Sequence, residues 1–443
     1  MFLRIYAALA FFLILAGDAF RYSVTWYGWG AVIAIVSAIS VTLLIRGRGN
    51  WRFGGLPYPL VVFLGLTLLS TAWSFYPQWT AIGWFSTALT VTSAVAIAVT
   101  LTREEILRAL GTALRLILGL SIVFELVVSL VVRHPILPFF SPYEYSEKLP
   151  KLLFWSRDVM LEGGKIQGIV GNSSLLAFVA LLGLIVFGVQ LAAGTVRRGW
   201  GLFWLAVAVA TVLMTRSATI TVALVLLAAV LLSALLLRRA KSSRGRLGVY
   251  AGMVGAVLVV IASISVFSKQ ILGVLGKSDD LTGRLDIWNA VIHLAQQRPV
   301  FGWGWVSYWV PFVPPFDTLA SAAGIRQLHA HNAWLDLWLQ VGIVGAVVFG
   351  ALVITTLLRS WSLATDRPQF AVNRPGEYTA VSLLPLLVLV ALIVQSFAES
   401  RILVEYGLLL LVVFAVSTKR QQLQPAPPVG TSAATPHAEP SRP

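Results

Sequence analysis

The segment Arg326–Gly345, RQLHAHNAWLDLWLQVGIVG, sets His329, His331 and Asn332 directly before a long apolar run. Imidazole is the side chain best suited to exchange a proton near neutral pH. A histidine at the mouth of an apolar helix stands where water meets lipid, so the pair predicts a general base at that boundary. The remaining histidines are less well placed. His134 follows a helix end, His293 lies inside an amphipathic stretch, and His437 sits in a tail rich in Pro and Ala. A zinc site would need further ligands, and the neighbourhood supplies only Asp336. The chain has no cysteine, which excludes thiol nucleophiles, disulfides and iron–sulfur clusters. It also lacks an Asp-x-Asp metal clamp, for which Asp279 and Asp280 are a poor substitute, and any Gly-rich nucleotide loop. Neither a metal nor another cofactor is expected.

Two arginines have the chemistry of anion binding. Arg216, in VLMTRSATITV, has apolar helix on either side and no carboxylate nearby in sequence. A charge near the membrane core is costly unless it pairs or faces a watery cavity. Arg216 therefore either snorkels to the surface or awaits an anionic ligand. Arg284 falls in the first turn of an expected helix, where free backbone N–H groups also favour an anion. Guanidinium grips phosphate with a planar fork and keeps its charge. Two such groups near the outer leaflet imply a phosphate carried by a lipid.

The elements that must position these residues are membrane helices. Of 443 residues, 58% are hydrophobic and 12% charged, against roughly half and a quarter in soluble domains. The apolar runs are long and do not alternate, which argues against a transmembrane barrel. An all-α, polytopic membrane fold follows. About twelve spans are expected, at 2–17, 24–45, 58–73, 79–101, 111–133, 173–193, 200–214, 218–237, 249–267, 333–358, 379–397 and 402–417. The first has Arg4 before its apolar stretch but no small-x-small cleavage site after it, so it is read as a helix rather than a signal peptide. With the N-terminus in the cytoplasm, the basic connectors fall inside, among them Arg46 to Arg52, Arg197 and Arg198, and Arg238 to Lys241. The net charge of +15 is thereby assigned to orientation, not to nucleic acid.

The organisation expected is helices 1–9 over 1–267 with an outer loop at 134–172, an outer segment at 268–332, helices 10–12 over 333–420 and a disordered cytoplasmic tail at 421–443. In the outer segment Leu281, Leu285, Trp288, Val291 or Ile292, and Ala295 recur at helical spacing. Thr282 is the expected N-cap and Pro299 the stop, which predicts an amphipathic helix along the membrane surface.

AHNAWLDLWLQVGIVG resembles the hallmark of the O-antigen ligase and O-antigen polymerase superfamily, a histidine before Asn at the outer end of a helix with GxxG shortly after. That resemblance puts the family histidine on His331 and the glycine pair on Gly342 and Gly345. TRSAT is similar to the family's membrane-edge arginine motif, at Arg216. LTGRLDIW resembles its Thr-Gly-Arg motif, at Arg284, with Trp288 following. RPVFGWGW looks like its Pro-x-x-Gly-x-Gly turn, and QSFAES like the segment near Glu399. KIQGIVGN is similar to a stretch that often carries Arg before the glycine, where this chain has Lys165.

The resemblance implies a metal-independent glycosyltransferase of GT-C type in the bacterial cytoplasmic membrane, with both termini inside and the active site outside. His331 would take a proton from an acceptor hydroxyl. Arg216 and Arg284 would hold the diphosphate of an undecaprenyl-diphosphate-linked glycan donor. Lys165, Arg157, Trp288 and Asn332 are further candidate substrate contacts. The acceptor would be a glycan, a lipid A–core or a protein. A ligase is favoured over a polymerase using the same donor. A transporter or flippase, from a different class, would explain the span count and Arg216 but not the long outer segments or HAHN.

Overall fold

A computed structural model describes residues 1–423 apart from 48–50, 144, 147–148, 276–278, 323–324, 368, 372–373 and 376, with backbone alone at 260–283, 322, 369–375 and 423. In chain order the helices are α1 (Phe2–Leu15), α2 (Gly17–Arg46), α3 (Tyr58–Leu69), α4 (Pro77–Thr100), α5 (Arg103–Val127), α6 (Ser173–Ala192), α7 (Arg198–Thr215), α8 (Ala218–Arg239), α9 (Ser243–Leu275), α10 (Asp279–Gln296), α11 (Phe316–Leu319), α12 (Ala333–Thr365), α13 (Leu384–Ser396) and α14 (Glu405–Leu423). Among the described residues, strand is confined to short two-stranded ladders. The protein is an all-α, multi-pass membrane protein, and each of the twelve expected spans coincides with one of these helices.

Among the described residues, seven helices, α2, α4, α5, α6, α7, α8 and α12, are long and apolar enough to cross a bilayer. In contrast α1, α3 and α13 have 14, 12 and 13 residues. At 1.5 Å per residue they reach only about 20 Å, short of the ~30 Å hydrocarbon core. A 3-10 turn lengthens two of them, at Ser70–Ala72 and Ala380–Leu383. The second span starts at Gly17 rather than near 24, because two helical pieces join across a break at Thr25 (φ 66°). At the far end α14 continues to Leu423, into the start of the expected tail; residues 424–443 lie outside the described residues.

Burial follows sequence character. Leu408–Val416 of α14 is buried on every face, as is most of α6, and both helices are apolar all round. The helices α7 and α8 bury one side and expose Leu213, Val222, Val225 and Leu232. Such surface would drive association in water, whereas lipid tails match it.

One end of the bundle gathers the loops that matter. The Phe139 N–H donates to the Tyr22 carbonyl (3.0 Å), Trp73 Nε1 to the Phe301 carbonyl (3.1 Å), and the Tyr76 hydroxyl to the Gly304 carbonyl (3.2 Å). The α1–α2 and α3–α4 junctions, the 134–172 loop and the 297–332 segment therefore share this end.

The glycine pair of α12 has a packing role. At Gly342 (φ 67°) the helix unwinds, and the segment 299–304 crosses the gap. Ile343 N–H donates to the Pro299 carbonyl (2.9 Å), and Trp303 and Gly304 N–H groups donate to Leu339 and Gln340 carbonyls (3.0 and 2.9 Å). A Cβ on Gly342 would lie 2.1 Å from the Val300 carbonyl oxygen, so both its backbone angle and its surroundings demand glycine.

Helix α10 departs from expectation in three respects. It begins at Asp279, which puts Thr282 inside the helix rather than at its N-cap, and Arg284 in the second turn rather than the first. The free N–H groups invoked for Arg284 therefore belong to earlier residues. Its buried face is Ile287, Val291 and Ala295, packed against Tyr76, Val306, Trp309 and Leu339, while Leu285 is exposed. The expected stripe holds at Val291 and Ala295 and shifts from Leu285 to Ile287, and this face binds protein rather than a membrane surface.

Candidate functional site

Helix α12 starts with a side-chain cap. Asn332 is extended (φ −159°), and its Oδ1 accepts the N–H groups of Trp334 (3.0 Å) and Leu335 (3.3 Å), satisfying two of the orphan donors of the first turn. That leaves only its amide nitrogen for any other partner. The preceding residue, His331, is left-handed (φ 51°). This rare backbone is held by its own N–H, which donates to His329 Nδ1 at 3.1 Å.

The His331 ring is fixed on both sides. Nδ1 lies 3.1 Å from Glu399 Oε2, and Nε2 lies 3.1 Å from the Gln327 side-chain oxygen. Glu399 comes from the link between α13 and α14, far along the chain. Its other oxygen accepts Arg284 Nη2 at 3.1 Å. Glu399 thus bridges Arg284 and His331. The side chains of Glu399, Arg284 and His331 are 8%, 18% and 22% exposed, so the carboxylate is closed off while the imidazole can still be reached.

This arrangement dictates a tautomer. An ionised carboxylate only accepts, so His331 Nδ1 carries the proton shared with Glu399, and Nε2 is the ring nitrogen turned away from it. Gln327 keeps its amide nitrogen on the Ile325 carbonyl (3.0 Å) and faces Nε2 with its oxygen, 3.1 Å away. Burial raises the proton affinity of Glu399. Interaction with His331, including its hydrogen bond, with His329 and with Arg284 outweighs that and holds its carboxyl well below the usual range. His329 is pushed the other way, first by burial and then by the neighbouring His331. It stays neutral and keeps the Nδ1 lone pair that His331 N–H needs.

Other residues brace the cluster. Asp336, in the first turn of α12, accepts the Ala330 N–H (3.0 Å) and the Ser400 hydroxyl, which ties the histidine strand to the Glu399 link. Trp288 Nε1 donates to the Ala330 carbonyl (3.0 Å), docking α10 on the same strand. Beyond His329, whose ring centroid lies 6.3 Å from that of Tyr308, comes a second buried network. Arg401 pairs with Asp18 (3.4 Å), with Glu405 and with the Tyr308 hydroxyl (2.6 Å), and Arg21 pairs with Asp18 and Glu405. Arg401 is buried and makes these contacts through its two Nη atoms.

Arg216, Arg157 and Lys165 belong to a different part of the same end. Arg216 ends α7 in a left-handed conformation (φ 50°), is exposed, and reaches the 157–168 loop, with Nη2 3.4 Å from where a Gly163 Cβ would stand. In that loop Arg157 Nε donates to Gln167 Oε1 (2.9 Å), and its Nη2 to the Lys165 carbonyl (3.4 Å). The loop is anchored by Glu125 of α5. This buried carboxylate accepts Gln167 N–H (2.9 Å), Gly168 N–H (2.6 Å) and the Ser156 hydroxyl (2.9 Å). Among the described contacts, none joins Arg216 directly to the His331 cluster.

For a metal, the structure supplies a ligand that the local sequence did not. His329, His331 and Glu399 offer donor atoms within 4.8 Å of one another, whereas Asp336 faces Ala330 and Ser400. The separations of 3.1 and 3.9 Å to Glu399 Oε2 bracket the ~3.3 Å between ligands of a tetrahedral zinc. The distances therefore fit. The charge does not favour it, since Arg284 already occupies the carboxylate and an added dication would sit beside a fixed guanidinium.

Glu399 and Gln327 are the residues that local reasoning left without a role. The available signal was an acidic residue in a stretch, LLVLVALIVQSFAES, that holds no other charge.

Comparison with known proteins bears on the same residues. Residues 201–350 match the family model described as O-antigen ligase, a range holding Arg216, Arg284, His331, Gly342 and Gly345 but not Glu399. The chain is also 29% identical over 120 residues to the exopolysaccharide production protein ExoQ of Rhizobium meliloti (strain 1021). That match covers 26% of this chain and spans 27% of the relative's length.

Proposed function

Starting from a chain that carries the O-antigen ligase domain and belongs to the O-antigen ligase and polymerase superfamily, as a membrane glycosyltransferase of that kind, we propose that it transfers a glycan from undecaprenyl diphosphate to an acceptor hydroxyl. The observation that carries this reading is Glu399 holding Arg284 and His331 together. With Nδ1–H fixed on the carboxylate, Nε2 accepts the acceptor's hydroxyl proton, and Glu399 stabilises the imidazolium that forms. The freed oxygen attacks the anomeric carbon. The bond from that carbon to the diphosphate oxygen breaks on the opposite face, which inverts the centre. The electron pair leaves with the diphosphate, whose added charge is met by guanidinium donors. Arg284 uses one N–H on Glu399 and has others to offer. Arg216, with Arg157 and Lys165 at the 157–168 loop, supplies the remaining positive charge.

Orientation follows the same proposal. The basic connectors lie in the cytoplasm with both termini, and the His331 end faces outward, where a lipid-linked donor meets an aqueous acceptor. The likeness to an exopolysaccharide production protein favours a growing glycan as acceptor, and so a polymerase, as the second reading.

The test is transfer of labelled glycan from undecaprenyl diphosphate by purified protein, with and without EDTA. Turnover that survives chelation is expected. Activity abolished by EDTA and restored by a divalent ion would assign His329, His331 and Glu399 to a metal instead.

A further inference from the structure

At the end of the bundle opposite His331, the last turn of α8, the start of α9 and the end of α12 line an open cavity of about 840 Å³. Its wall holds five cations, Arg238, Arg239, Lys241, Arg246 and Arg367, against one carboxylate, Asp366. That carboxylate is occupied: it accepts Arg246 Nη2 at 2.7 Å and the Ser362 hydroxyl at 2.8 Å. Among the described residues no carboxylate pairs with Arg238, Arg239, Lys241 or Arg367.

Membrane orientation explains why basic residues lie at this end, but not why they converge. Those recruited for charge alone can cap nearby carbonyls, as Lys419 does at Leu56 (2.6 Å) and Arg420 at Ala98 (2.9 Å). Here one cation is built in and the exposed Arg239, Lys241 and Arg367 are gathered beside it. Arg238 is locked by the Ala364 carbonyl (2.6 Å), the Ser382 hydroxyl (2.8 Å) and the Thr379 carbonyl (3.3 Å). Its guanidinium and that of Arg367 both stack on Tyr378, at 4.9 and 5.3 Å from the ring centroid. Two like charges gathered on one ring repel unless an anion offsets them. The volume far exceeds one phosphate and matches a small-molecule site.

We propose that this cavity binds a ligand bearing two phosphate groups, either the headgroup of a diphosphatidyl lipid or a soluble diphosphate. Guanidinium forks suit phosphate oxygens, and basic pockets between helix ends at headgroup level recognise such lipids. The site is separate from the His331 end and does not depend on the reaction proposed there.

The test uses the full chain in phosphatidylcholine nanodiscs. One arm measures retention of added diphosphatidylglycerol by native mass spectrometry; the other measures binding of inorganic pyrophosphate by calorimetry. Wild type is compared with Arg239→Gln/Lys241→Gln/Arg367→Gln, whose side chains are exposed. The control is Arg197→Gln/Arg198→Gln, at the same end but outside the cavity. The triple variant should bind at least tenfold more weakly in one arm while the control matches wild type. The lipid arm alone responding identifies the headgroup; the pyrophosphate arm responding identifies the soluble ligand. Only the difference between proteins counts, since a second diphosphate site is proposed at the other end. Equal binding by all three proteins, equal weakening in both variants, or no binding in either arm overturns the proposal.

Discussion

His331 and Arg216 stand at the same end of the bundle in opposite circumstances. His331 is clamped at both ring nitrogens and at its backbone N–H, within a cluster whose charges are balanced by Glu399. Arg216 is exposed at a helix end, and among the described residues no carboxylate pairs with it. The first arrangement is ordered before any substrate arrives. The second leaves a charge open to an incoming anion. Preorganised groups act on the rate of the chemical step, while open charges act on capture, so the two regions should separate in kinetics.

The largest effect is expected at the clamp. His331→Ala should abolish transfer, since general base catalysis alone is worth about 10²–10⁴-fold, while expression and melting temperature stay near wild type. Wild-type turnover by that variant would remove the contrast altogether. Glu399→Gln should lower kcat by about 10²-fold or more with KM little changed, because the ring loses both its tautomer and the counter-charge of its protonated form. Arg216→Ala should instead raise the donor KM about tenfold, the value of one charge-assisted contact. Arg216→Lys should recover little of it, lacking the fork. A kcat effect at Arg216 equal to that at Glu399 would merge the two regions into one. The smallest effect concerns stability. The Glu399 carboxyl is held below its ordinary range in the folded protein, so its contribution is present above that range and is lost as pH falls through it. Melting in detergent should drop on acidification below about pH 4, where a free Glu titrates, and Glu399→Gln should flatten that dependence.

The same contrast explains what the sequence made legible. Helices could be read because lipid imposes long apolar runs, and the glycine pair because it is local in sequence, whereas Asn332, expected as a substrate contact, spends its side-chain oxygen capping α12. Glu399 could not be assigned, since its partners lie 68 and 115 residues away. The stripe of α10 was drawn for a lipid surface, whereas Ile287 and Val291 face Trp309 and Leu339. Short spans such as α3 were legible as apolar but not as incomplete, because their shortness is made good by packing against neighbours rather than by composition.

The break at Gly342 divides the tenth span into two rods with separate allegiances. The upper rod, from Ala333 to Val341, is pinned by the crossing strand at 299–304 and braced through Asp336 to the Glu399 link, whereas the lower rod packs within the bundle. The position of the imidazole is thus set by the crossing strand and the Glu399 link and is insulated from tilting of the helix beneath it.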